Sequence, residues 1–162
     1  MAQAVEFRGE LISRGGCSFR AQITADYGQE VQHFTLDCRA DGEGEVSFCV
    51  TEPETIEGIT GSVEGETGIV TYDGLQLAFP LMVHDRISPV SAPALTVACW
   101  VKEFILSAGL SEELYRVSYE KKINGKDVLI DTYFEKNIPI SAELCYNGYG
   151  IINITIADFS FR

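Results

Sequence analysis

Positive charge is scarce in this sequence. Its 162 residues hold 12 Lys and Arg against 24 Asp and Glu, a net charge of −12. Nucleic acid and anionic headgroups demand a basic footprint, so neither is expected as a partner of this surface. Catalytic signatures are missing too: there is no G-x-S-x-G, H-E-x-x-H, Walker loop or G-x-G-x-x-G. Histidine occurs twice. His33 falls opposite Phe34 in its strand and reads as a surface residue, while His84 beside Asp85 offers an acid–base pair with no nucleophile near it. No enzyme, cofactor or metal site is expected.

The five cysteines, Cys17, Cys38, Cys49, Cys99 and Cys145, are an odd set without a C-x-x-C, which argues against zinc. Cys17 and Cys38 share a face of neighbouring strands. A hairpin through Tyr27–Glu30 sets them diagonally, roughly 7–8 Å apart, beyond comfortable disulfide reach. They read as buried free thiols. Asp41, Glu43 and Glu45 alternate through a glycine turn but lack the sixth-position glycine and distal glutamate of a calcium loop, so they read as a solvated hairpin tip. Long apolar runs are absent as well. Leu95–Leu110 is too short to span a bilayer, carries Lys102 and Glu103, and follows Pro89 and Pro93. The opening MAQAVEFRGE has neither an apolar segment nor a cleavage site.

What is present is a succession of short strands. Hydrophobic content of 46% and charge content of 22% suit one folded domain over residues 1–162. Val5–Arg14 is a first strand candidate, closed by Gly15-Gly16. Cys17–Asp26 alternates cleanly, with Cys17, Phe19, Ala21, Ile23 and Ala25 on one face. Glu30–Arg39 and the strand through Val46, Phe48 and Val50 follow, then a weak strand over Ile59–Glu64. Asp73-Gly74 joins Ile69–Tyr72 to Leu75–Pro80 as a hairpin. Beyond residue 110, Tyr115–Ile123, the stretch from Val128 to Phe134, Ile138–Tyr146 and Ile151–Phe161 repeat the pattern, with turns at Asn124-Gly125 and Asn147-Gly148. Asp158 shifts the phase of the last strand, the mark of a bulge.

One stretch breaks the alternation. Pro93–Gly109 reads as a helix, with proline where a first turn tolerates it and glycine as the stop. At about 100° per residue, Thr96, Glu103 and Ser107 form a narrow polar wedge and Lys102 stands alone. Apolar residues fill the rest, and a helix apolar nearly all round expects burial. The expected fold is α+β, mostly β: a strongly curved antiparallel sheet of about ten strands, a half-open barrel, with one main helix on its concave side. Trp100 and Phe104, with Leu95, Phe79, Leu81 and Met82, either pack as core or line an apolar cavity between helix and sheet.

Three patterns resemble the LolA/LolB-like superfamily of envelope lipoproteins and carriers, including its RseB and LppX types. They are PETIEGITGSVEGETGIVTYDGLQLAFP at residues 53–80, ISP at 87–89 leading into the helix, and IPISAELCYNGYGIINITIADFSF at 138–161. The resemblance implies a half-open barrel lidded by helices. It also implies a non-catalytic, extracytoplasmic bacterial protein of the cell envelope that takes an acyl chain or other apolar ligand, tethered to the membrane through an N-terminal lipid anchor outside this sequence. Without a trimmed signal segment the expected location is cytoplasmic. The alternative is a protein-interaction or envelope-sensor module of the same fold with a filled core. Two family features are missing from this reading: a lipid-attachment cysteine, and an amphipathic helix ahead of the first strand.

Overall fold

The computed structural model describes residues 1–146 and 149–162. The chain opens on a helix, α1 (Ala2–Ser13), where alternation predicts a strand over Val5–Arg14. Its buried residues are Ala4, Phe7 and Leu11. Those steps of three and four place one face of a helix against the core, which a period of two cannot do. The missing amphipathic helix is therefore present. At Gly16, φ is 118°, and a Cβ there would meet the Ala40 carbonyl oxygen at 2.0 Å. Only glycine lets the chain leave α1 this close to its neighbour.

Six strands follow in order: β1 (Gly16–Asp26), β2 (Val31–Asp41), β3 (Val46–Glu52), β4 (Thr60–Glu64), β5 (Thr67–Tyr72) and β6 (Leu75–Pro80). A connector carries two-residue strands, β7 (Met82–Val83) and β8 (Arg86–Ile87), and leads into α2 (Ala92–Val101). Five more strands complete the chain: β9 (Phe104–Ser111), β10 (Leu114–Ile123), β11 (Lys126–Glu135), β12 (Ile138–Tyr146) and β13 (Tyr149–Phe161). The main sheet has eleven strands, all antiparallel, in the order β6-β5-β4-β3-β2-β1-β13-β12-β11-β10-β9. First and last strands meet at its centre, and β6 and β9 are its free edges. The sheet curls enough to bring turns from its two halves together: the Asn124 amide donates to Glu66 Oε1 at 3.5 Å.

The turn residues behave as their chemistry requires. Asp73-Gly74 and Asn124-Gly125 both take positive φ, 50° and 81° in one pair and 51° and 77° in the other. That geometry matches the twist of flanking strands. The β1–β13 register slips between Ser18 and Arg20, and Asp158 opposite takes φ 54°. This is the bulge that the phase change predicts, and it returns Phe159 and Phe161 to the core side. The Asn147-Gly148 turn lies outside the described residues.

The main helix is shorter than its apolar run. All ten residues of α2 are buried, and the helix touches β2, β3, β10, β11 and β13, strands from both halves of the curl. That places it on the concave side. After Val101 the chain leaves the helix, and Phe104–Ser111 pairs with β10. The predicted stop, Gly109, sits within that strand. Without β9, one side of the ten-residue β10 would carry unpaired ladder groups, so the need for a partner overrides local helical pattern. No helix among the described residues is long and apolar enough to cross a membrane.

Candidate functional site

Trp100 is the centre of the packed interior. It is 0% exposed, and its indole Nε1–H donates to Thr132 Oγ1 at 2.9 Å, which satisfies the one polar atom the ring brings inside. Phe7, Phe19 and Phe159 surround it, with ring centroids 5.6, 5.7 and 6.2 Å away. Phe7 comes from α1 and also meets Phe134 at 4.9 Å and Phe161 at 5.8 Å. The first helix thus plugs an aromatic cluster drawn from α2 and three strands.

Beside Phe7, Arg8 fastens the two helices. Its Nε donates to the Trp100 carbonyl at 2.8 Å, and its Nη2 donates to the carbonyls of Cys99 at 2.8 Å and Glu103 at 2.6 Å. The Cys99 and Trp100 oxygens belong to the C-terminal end of α2, where carbonyls lack intrahelical partners and the helix dipole favours a cation, and Glu103 follows just beyond it. Lys121 holds the Glu103 carboxylate at 2.7 Å in the same corner. Burial pushes the Cys99 thiol and the Tyr119 hydroxyl well above their ordinary values. It does the same to the Cys38 thiol, and it pushes Cys17 up to about 12. Burial thus favours the protonated form of each of these groups. All five cysteines are free, and Cys17 faces Ala40 while Cys38 faces Phe19, the diagonal arrangement predicted.

Of the six residues proposed from sequence to line a cavity, four are core. Leu81 is 2% exposed, Met82 7%, Leu95 1% and Trp100 0%. A side chain lining a water-sized void would keep accessible surface even inside the protein, so the α2–sheet contact around Leu95 and Trp100 is filled. A void beneath α1, between Ala4, Phe7, Tyr115 and Phe134, measures about 10 Å³. Phe104 is separated from the others: it stands on the edge strand β9, opposite Glu120, and is 70% exposed. Its expected place on a helix is corrected by the early end of α2.

Phe79 marks a different surface. In the β5–β6 register Val70 faces Leu77, Tyr72 faces Leu75 and Gly68 faces Phe79, so these side chains share one face. The ladder continues that face through Gly61 and Val63 to Phe48 and Val46, which are buried against the core. It is the concave face. Yet Tyr72 is 59% exposed, Leu75 71% and Leu77 65%. The concave side is therefore apolar and uncovered at this edge, beyond the reach of α2. Sequence reasoning singled out Phe79 alone. The alternation of Leu75, Leu77 and Phe79 with Gln76 and Ala78 carried the signal for the rest.

The acidic trio Asp41, Glu43 and Glu45 gathers its oxygens within 4.8 Å. Asp41 Oδ1 is occupied by the amides of Glu43 and Glu45, each at 2.9 Å, which makes it a turn-forming group. Asp85 pairs with Lys126.

Comparison with solved structures identifies the architecture. A LolA superfamily protein from Nitrosomonas europaea superposes with a TM-score of 0.53 at 10% identity, over 98% of this chain and 93% of that one. A putative outer membrane lipoprotein-sorting protein domain from Vibrio parahaemolyticus gives 0.52 at 8% identity, over 99% and 91%. An uncharacterized conserved protein from Thermus thermophilus gives 0.52 at 9% identity, over 98% and 87%. No family model matches the chain, and none of the curated proteins matches it. The class is thus a half-open antiparallel barrel with helices on its concave side. Within that class the chain has the LolA-like fold.

Proposed function

We propose that this protein is a non-catalytic carrier or receptor of the bacterial cell envelope that holds an acyl chain or similar apolar ligand on the open part of its concave face. The observation that supports this is the inner face of the β5–β6 hairpin, an apolar strip on which Tyr72, Leu75 and Leu77 stand exposed while half-buried Val70 and Phe79 join them to the core. A six-residue strand runs roughly 20 Å, the scale of a long acyl chain. Burying each methylene against the strip contributes about 0.8 kcal/mol, with no charged contact required. Leu81, Met82, Leu95 and Trp100 belong to the packed core. Phe104 stays outside it. The fold shared with a LolA superfamily protein and a lipoprotein-sorting domain supports the envelope location and the ligand class.

A second reading is an interaction or sensor module whose core is simply full, and the complete burial of Trp100 favours it. Titration with a fluorescent fatty-acid analogue separates the two. The carrier reading expects saturable binding that Leu77→Asp weakens at least tenfold, with no loss of folded signal. Absence of binding, or binding indifferent to Leu77, would leave the filled module in its place.

A further inference from the structure

The convex side of the same sheet carries a second depression, where hydroxyl side chains and Arg39 stand beside Ile69 and Cys49. An open groove of about 530 Å³ lies over β2 to β6, within the size range of small-molecule sites. Its walls come from two cross-strand rows. One row runs Ser160, Ser18, Arg39, Ser47, Ser62, Ile69 and lines the groove from Arg39 onward. The other runs Arg20, Asp37, Cys49, Thr60, Thr71, Gln76 and lines the groove from Asp37 onward. Short hydroxyl side chains occupy positions where a surface strand more often carries Lys or Glu, and that shortage of bulk makes the hollow.

Arg39 is the pivot. It borders the large groove and two adjoining ones of about 340 and 200 Å³. Among the described residues its guanidinium has no ion-pair partner, in a chain with twice as many acids as bases. The carboxylates two positions away on the same strand face are engaged elsewhere. Asp37 Oδ1 accepts from Arg20 Nε at 2.9 Å, and Asp41 Oδ1 accepts the amides of its own turn. Asp37 is also the sole acid lining the large groove. An arginine left with its planar fork open, between serines on both neighbouring strands, is suited to a bidentate oxyanion with hydroxyls alongside.

We propose that this groove binds a small hydroxylated oxyanion, a sugar-sized polyol bearing a carboxylate or a phosphate. Arg39 takes the anionic group, while Ser47, Ser62, Thr60, Thr71 and Gln76 exchange hydrogen bonds with the hydroxyls. The site is separate from the apolar strip, since the two lie on opposite faces of β5 and β6.

Calorimetric titration of the full chain with glucuronate, glucose 6-phosphate, glucose and inorganic phosphate tests it. Expected is saturable binding of glucuronate, glucose 6-phosphate or both, with glucose and inorganic phosphate each at least tenfold weaker. Which of the two charged sugars binds tells carboxylate from phosphate. Arg39→Gln is expected to remove the binding, Arg39→Lys to keep part of it, and Ser62→Leu to block it by filling the hollow. Arg39 is exposed, so its variants retain the folded circular dichroism spectrum. Failure of both charged sugars overturns the proposal, as does binding unchanged in Arg39→Gln or inorganic phosphate binding as tightly as glucose 6-phosphate.

Discussion

A single guanidinium ties together segments more than ninety positions apart in the chain: Arg8 meets three carbonyls at the end of α2. Bonds from a charged donor contribute more than neutral ones, and removing the donor strands its acceptors in a partly buried corner. Arg8→Met keeps the length of the side chain and loses every donor. The expected cost is about 3 kcal/mol, read from the urea midpoint; a shift below about 0.5 kcal/mol would mean water replaces the guanidinium freely. Nothing local announces this residue. Arg8 lies in a stretch whose Val5, Phe7 and Leu11 read equally as strand, and its partners are reached only through the tertiary fold. Trp100, by contrast, was legible as an interior residue, packed core or cavity wall, because a lone indole on an apolar helix has few other places to go.

Among the elements, the hairpins were the most readable, since Asp-Gly and Asn-Gly carry their own backbone geometry. The bulge at Asp158 was readable for a similar reason: it shifts a period of two within a single strand. The end of α2 was not, because the residues after Val101 are claimed by β10 and no feature of their own sequence states that claim. The open strip lies between these extremes. It was visible as alternation, but its exposure depends on where α2 stops. Gly68 is the contact to probe here. A Cβ at this position would lie 2.3 Å from Phe79 Cζ, so Gly68→Ala must push the ring off the strand. A loss of about 1–3 kcal/mol is expected from such overpacking, measured by thermal unfolding. Unchanged stability would show that Phe79 swings aside without cost, and that the edge of the strip is soft.

For the molecule as a whole, burial raises the thiols of Cys17, Cys38 and Cys99 and the Tyr119 hydroxyl. The unfolded chain gives up these protons near their ordinary values, around pH 9 for a thiol, while the folded chain retains them to higher pH. Above pH 9 the folded state therefore binds more protons than the unfolded one, and stability falls as pH rises. The urea midpoint should hold level up to about pH 9, then decline toward pH 12, the value to which Cys17 is raised. A flat profile through that range would mean hydroxide reaches the thiols without unfolding. The curl of the sheet was legible only in outline. About ten strands and one greasy helix call for wrapping, but they do not say that two helices fill the hollow.

The eleven-strand ladder ends at β6 and β9 without joining itself. A closed cylinder has a circumference fixed by its hydrogen bonds, so widening it breaks some of them. An open ladder has no such tie: the separation of its two edges follows from the rotation summed over the strands between them. Among the described residues no ladder pairing spans the mouth from β6 to β9, so its width is a matter of accumulated twist and not of hydrogen bonding across it.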